Sequence, residues 1–334
     1  MCFGETVSHI LPVTERIIET NGVQLHTVEA GAPDAPVVVL AHGFPELAYS
    51  WRHQIPVLAA AGYHVLAPDQ RGYGRSTRPA DIADYNVAAL SGDLVGLLDD
   101  VGAEKAVFIG HDWGAAVVWS SAQLHPDRVA GVVGLSVPPV PRAQIPPTQA
   151  FRAVFGDNFF YMLYFQEPGV ADAELDADPA KTLRRVILGQ AAPGDQAAAM
   201  RMLRPGPEGL IERIPEPDGL PSWISADELD HYVAEFSRTG FTGGLNWYRN
   251  MDRNWEIQGN LTSAAITVPA MFIAGTDDLV LGFIRPDRAK EVITGPYREV
   301  LIEGAGHWLQ QERPGQVNEA LLDFLSSLKT GVES

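Results

Sequence analysis

Short apolar runs, most of them β-branched and uninterrupted by charge, recur along the first part of the chain at residues 36–41, 64–68, 106–110 and 132–136. Runs this short and continuous predict strands covered on both faces, because a strand with one wet face alternates apolar and polar positions. Between them, residues 87–101 and 115–124 read as helix. The second stretch ends before His125-Pro126, since the residue preceding proline is pushed out of the α region. Upstream, residues 16–19 and 24–29 flank Asn21-Gly22, a two-residue hairpin signal. Strand and helix alternating at this spacing predict a mostly parallel sheet flanked by helices.

The rhythm then breaks. Pro138, Pro139, Pro141, Pro146 and Pro147 crowd a connector unsuited to a helix interior or a central strand. About 110 residues follow whose pattern is helical or loop-like rather than β. Strand-like runs resume at 270–274 and 298–302, and a helix at 315–328 closes the chain. The expected organisation is an α/β core at residues 1–138 and 259–334, interrupted by a helical insert at 139–258. No internal repeat or low-complexity stretch breaks that plan.

Composition narrows the chemistry. With 24 Lys and Arg against 42 Asp and Glu, the net charge is −18, a surface that repels phosphate backbones and argues against a nucleic-acid partner. Of 334 residues, 46% are hydrophobic and 20% charged, which is globular rather than disordered composition. The single cysteine, Cys2, excludes an intramolecular disulfide and any multi-cysteine metal site. No run approaches the roughly 18 apolar residues of a membrane span, and no secretory leader is expected, so the reading is a cytoplasmic protein. Asn260-Leu261-Thr262 then matches a glycosylation signal by chance.

Gly110-His111-Asp112-Trp113-Gly114 lies between a strand and a helix. Small residues two before and two after Asp112 permit a sharp turn that lifts its side chain over the sheet, beside a helix N-terminus. Gly275-Thr276-Asp277-Asp278 and Ala305-Gly306-His307-Trp308 follow the last two strand-like runs. Nucleophile, acid and histidine thus occur in the chain order of α/β-hydrolases, with Asp278 the favoured acid and Asp277 beside it the alternative. After the run at 36–41 stands His42-Gly43-Phe44-Pro45-Glu46. The backbone N–H groups of Phe44 and Trp113 are the expected oxyanion donors, and Phe44, Pro45 and Trp113 the expected substrate contacts. Residues 68–76 read instead as a structural turn fixed by Asp69 and Arg71; they lack the spacing of a phosphate loop.

An aspartate where serine commonly stands changes the reaction. A carboxylate attacking an acyl carbon would make an anhydride, a poor route to ester hydrolysis. Against an sp3 carbon bearing a leaving group it makes an alkyl ester, which water activated by the histidine can cleave. Epoxides and alkyl halides are the substrates this fits. Opening an epoxide requires an acid still protonated at neutral pH, which tyrosine, with a pKa near 10, supplies. Tyrosines stand in two distinctive settings of the insert, at 163–169 (LYFQEPG) and 245–250 (LNWYRN).

The segments HGFPE at 42–46, GHDWGA at 110–115, YFQEPGVAD at 164–172 and NWYRNMDRNWE at 246–256 closely resemble the soluble epoxide hydrolases of the α/β-hydrolase superfamily. The resemblance covers core and insert. It implies an eight-stranded, mostly parallel α/β-hydrolase sheet with an inserted helical cap, and no N-terminal phosphatase domain of the kind some animal members carry. It also implies Asp112 as nucleophile, Asp278 as orienting acid, His307 as base, and Tyr164 and Tyr248 as cap residues that protonate the epoxide oxygen. Haloalkane dehalogenases look similar around the elbow, but many place an Asn where Phe44 stands, and Phe44 has no side-chain donor for a halide. A ligand-binding receptor on a hydrolase scaffold is the rival from another class; all five proposed catalytic side chains are present, which speaks against a lapsed enzyme. Neither metal nor cofactor is expected, since there is no H-E-x-x-H and no dinucleotide fingerprint. The expected partners are a small apolar epoxide and water, and a homodimer is compatible with the sequence.

Overall fold

Asn21 and Gly22 both adopt positive φ, 47° and 76°, the combination a two-residue hairpin turn requires. Strand β1 (Thr14–Thr20) therefore folds back on β2 (Val23–Ala30), with Thr20 opposite Val23. The structure, a computed structural model, describes residues 13–189 and 196–330; Cys2 lies outside them. Six further strands follow: β3 (Val37–Ala41), β4 (His64–Pro68), β5 (Ala106–His111), β6 (Val129–Leu135), β7 (Ala270–Gly275) and β8 (Tyr297–Ile302). They join the hairpin in one eight-stranded sheet of order β1-β2-β4-β3-β5-β6-β7-β8. Strand β2 pairs antiparallel with both its neighbours, and the pairs from β4 to β8 are parallel.

Every residue of β3, β4, β5 and β7 is buried, which accounts for their unbroken apolar runs. Alternate side chains enter opposite layers. Val37, Val39 and Ala41 pack in the layer of helices α2 (Val87–Val101) and α3 (Trp113–Leu124), with Leu90, Leu94 and Val118. Val38 and Leu40 pack with Leu58 of α1 (Ile55–Ala60) and with Phe324 and Leu325 of the closing helix (Pro314–Thr330). At the sheet edges β1 and β8 are half exposed, as their mixed sequences require.

Between β6 and β7 the described residues form helices and loops without a strand: α4 (Pro147–Phe155), α5 (Tyr161–Tyr164), α6 (Val170–Ala177), α7 (Pro179–Leu188), α8 (Gln196–Leu203), α9 (Leu210–Arg213), α10 (Ala226–Thr239), α11 (Thr242–Arg249) and α12 (Met251–Gly259). Their buried Phe165, Leu175, Leu183 and Trp247 continue the apolar layer that holds Phe44 and Trp308. No helix among the described residues is long and apolar enough to cross a membrane. The carboxyl ends of the parallel strands align, with Ala41 opposite Gly110, His111 opposite Leu135 and Gly275 opposite Ile302. The loops that leave these ends meet at one edge of the sheet, beneath the helices, where open α/β sheets place their sites.

Candidate active site

Asp112 holds φ 52° and ψ −120°, a strained backbone for a residue with a side chain. The glycines around it leave room for that conformation where side chains would not. A Cβ on Gly110 would stand 2.2 Å from the carbonyl oxygen of Gly114, one on Gly114 would stand 2.1 Å from that of Ala41, and one on Gly43 2.4 Å from Asp112 Oδ1. Strand β5 thus turns into α3 within one residue, with the carboxylate raised at the helix N-terminus. The Phe44 N–H donates to Asp112 Oδ1 at 2.8 Å, and the Trp113 backbone N–H also bonds the carboxylate. Phe44 and Pro45, joined by a cis peptide, are buried in the loop that carries the first donor. Asp112 Oδ2 faces His307, 3.7 Å from Nε2.

His307 follows β8, and its Nδ1 lies 3.2 Å from each oxygen of Asp278, which follows β7. Asp278 is buried while Asp277 is exposed, so the structure sets Asp278 against the imidazole. Burial alone would disfavour charge on His307, but Asp278, Asp112 and Glu46 outweigh it and raise its pKa to about 9. Burial also works to raise Asp278, yet the His307 charge and the Ser136 hydroxyl bring it below the usual carboxylate value. For Asp112 burial wins: its pKa is raised despite His307, His111 and the two N–H donors.

Beneath the elbow lies a buried network to which the sequence reading assigned no role. Glu46 accepts from the Gly43 N–H at 2.9 Å, from His111 Nδ1 at 2.7 Å and from Gln310 Nε2 at 2.9 Å. His111 in turn bonds the His307 carbonyl at 2.7 Å. His111 and Gly43 outweigh the burial penalty and hold the Glu46 carboxyl at about 2. One carboxylate thereby ties the Phe44 loop, the elbow and the histidine loop together. The HGFPE motif contained Glu46, but nothing in its spacing showed what it would bond.

The tyrosine pair differs from the expectation in one member. Tyr248 is buried, with its ring 4.9 Å from Trp113 and 5.5 Å from Phe44. Tyr164 does not join it: its hydroxyl donates to Glu174 at 2.9 Å, and that same carboxylate accepts the Leu210 and Ile211 N–H groups at the start of α9. Tyr161, one turn earlier, takes the place beside Tyr248, with ring centroids 6.0 Å apart. Burial first, then the negative charges of Asp112 and Asp278, raises the Tyr161 hydroxyl well above its ordinary pKa. Burial and Asp112 do the same to Tyr248. The two distinctive motifs of the insert fasten this pair. Gln166 bonds the carbonyls of both Met162 and Tyr248, at 2.8 and 3.1 Å. Arg249 donates to the Phe165 carbonyl at 3.0 Å and pairs with Asp172 in the cap interior.

The floor of the site is therefore charged and the roof aromatic and protonated. Such an arrangement can attack a carbon, donate a proton to the departing oxygen and hydrolyse the resulting ester. Among the described residues, no group of three or more His, Cys, Asp or Glu converges to hold a metal ion.

Comparison with known proteins adds four likenesses. Residues 36–185 match the family of the alpha/beta hydrolase fold. Epoxide hydrolase A of Mycobacterium tuberculosis is 71% identical over 316 residues, spanning 95% of this chain and 98% of that protein; epoxide hydrolase 3 of Siraitia grosvenorii is 40% identical, spanning 92% and 97%. The crystal structure of epoxide hydrolase A from Mycobacterium thermoresistibile superposes with a TM-score of 0.92 at 67% identity, covering 94% of this chain and 98% of that one.

Proposed function

The chain belongs to the epoxide hydrolases of the α/β-hydrolase fold, and from that premise we propose that it converts an epoxide to a vicinal diol through a covalent ester on Asp112. The observation that carries the two-step route is the division of labour between the carboxylate oxygens. Oδ1 is held by the Phe44 N–H, whereas Oδ2 faces His307. Oδ2 attacks an epoxide carbon; the C–O bond breaks, and the oxygen takes a proton from the pair Tyr161 and Tyr248. Tyr161 stands here in place of the Tyr164 that the resemblance suggested. Their raised pKa values keep both hydroxyls protonated at neutral pH, so both can hold the oxygen before either gives up its proton.

Ester formation removes the negative charge of Asp112 and weakens the hold on the imidazolium. His307 then loses its proton to solvent while the tyrosinate left by ring opening regains one, and the neutral Nε2 takes a proton from a water that attacks the ester carbonyl. The carbonyl oxygen is Oδ1, so the Phe44 N–H already occupies the place where the oxyanion develops, with the Trp113 N–H beside it on the same carboxylate as the second donor. Asp278 holds the Nδ1 side of the ring and balances its charge. Collapse breaks the bond from Cγ to Oδ2, the departing diol oxygen takes back the proton from His307, and Asp112 is left as a carboxylate carrying the oxygen of the water. The helices between β6 and β7 act as the cap of the site, and Phe44, Trp113 and Phe165 around the tyrosines favour an apolar substrate.

A single turnover of an aryl epoxide in ¹⁸O-water tests the scheme. The proposal requires unlabelled diol and label in the Asp112 peptide after turnover. Label entering the diol directly would remove Asp112 as nucleophile.

A further inference from the structure

Ser136 directly follows β6, where an apolar run meets the active-site edge of the sheet, and it is fully buried. Its φ is +70°, and the Val137 N–H bonds the Leu135 carbonyl across it at 2.8 Å. A turn closed over one residue with positive φ is the rare, strained form of the γ-turn. Strain of this kind persists where the surrounding structure over-determines it, and functional sites are where it concentrates. The effect on Ser136 is to aim its hydroxyl between the acid and the base of the site.

The hydroxyl oxygen lies 2.5 Å from Asp278 Oδ2 and 2.8 Å from His307 Nδ1. The latter is shorter than either direct approach of Nδ1 to Asp278, both 3.2 Å. Serine has one proton to donate, and the Asp278 carboxylate can only accept. The donor direction is thereby settled: Ser136 donates to Asp278 and accepts from the Nδ1–H of His307. Asp278 Oδ1 takes the Val280 N–H at 2.9 Å, so each of its oxygens has a separate anchor. Once the ring is neutral, with its proton held on Nδ1, the free lone pair of His307 sits on Nε2, the side that faces Asp112.

We propose that Ser136 is a positioning residue for the second half-reaction, acting through His307 and Asp278 to fix the tautomer and tilt of the imidazole as it takes a proton from water. The assignment rests on the two-step ester reading above. The groups facing His307 are Asp278, Asp112 and Glu46, with the His111 ring tilted against its own at a centroid distance of 4.9 Å. Loss of the Ser136 oxygen removes one acceptor from the imidazolium and leaves those neighbours in place. The protonated form is then less favoured, so the titration midpoint of His307 moves to lower pH.

Ser136→Ala and Ser136→Gly separate the hydroxyl from the backbone, because glycine also relieves the positive φ. Rapid-quench mass spectrometry with an aryl epoxide follows the rise and decay of the Asp112 adduct in each. Both variants should form adduct at the wild-type rate and cleave it about tenfold to a hundredfold more slowly, the loss of a hydrogen bond to a charged group. NMR titration of His307 should show the downward shift in both without substrate. Wild-type adduct decay, or an unmoved His307 midpoint, in the glycine variant would overturn the assignment. A defect confined to the alanine variant would trace the effect to the turn and overturn it equally. Absence of adduct in the wild-type protein would instead sink the ester route, and the place of Ser136 in it.

Discussion

Replacing Asp112 with Asn removes one charge from the site while keeping the shape of the carboxylate, and so imitates the electrostatics of the alkyl ester. Asp112 Oδ2 lies 3.7 Å from His307 Nε2. At that separation and an effective dielectric of about 20, one pair of unit charges interacts by about 4 kcal/mol. Divided by about 1.4 kcal/mol per unit, that sets a ceiling near 3 pKa units for the contribution of Asp112. Since His307 in the wild-type site is raised to about 9, its midpoint in Asp112→Asn should fall to about 6–7. The imidazole would then be charged before ring opening and neutral after it, at the same pH. NMR of the His307 ring, assigned by comparison with His307→Gln, reads both midpoints directly. Two midpoints within about half a unit of each other would refute the coupling, because Asp112 would then contribute well under 1 kcal/mol. The ester's loss of charge could no longer be what frees the base.

Other outcomes follow from the same geometry. Tyr161→Phe and Tyr248→Phe should each slow adduct formation about a hundredfold, on the scale of a lost general acid, whereas Tyr164→Phe stays near wild type; stopped-flow single turnovers distinguish the three. Arg249→Met leaves Asp172 without its cationic partner, held only by Thr242 and the Gly169 N–H, at a cost of about 1–3 kcal/mol, read as a lowered unfolding midpoint together with slower ring opening. Gly43→Ala drives a Cβ to 2.4 Å from Asp112 Oδ1, and loss of adduct formation with far-UV circular dichroism intact is the expected result. His307 is raised above its unfolded value of about 6.5, so its contribution to stability is complete below that pH and is lost as pH rises through about 9. Denaturant melts of His307→Gln should lack that decline, worth about 3 kcal/mol; an unchanged slope against pH would refute it.

What could be read from the chain and what could not separates by the range of the causes. The hairpin and the elbow depend on glycines and their immediate neighbours: Asn21-Gly22 needs two positive φ values, and Gly110 and Gly114 admit the turn at Asp112 because a Cβ at either would strike backbone. The hairpin and Gly110 are constrained within five residues, and Gly114 alone is also held by the Ala41 carbonyl of the neighbouring strand. The choice between Asp277 and Asp278 is longer in range, for it rests on which side chain the loop after β7 buries against His307. The tyrosines fall beyond local reach altogether. Tyr161 and Tyr164 share one short helix, and no period distinguishes them. What selects Tyr161 is Glu174, on the next helix, which takes the Tyr164 hydroxyl while it caps α9 from the other side. Ser136 was hidden for the opposite reason. It follows an ordinary apolar strand, and only the approach of loops following β7 and β8, more than a hundred residues on, gives its hydroxyl two partners. Residues whose function follows from their own backbone are legible in sequence; those assigned by a neighbour's competing bond become legible only once that neighbour is in place.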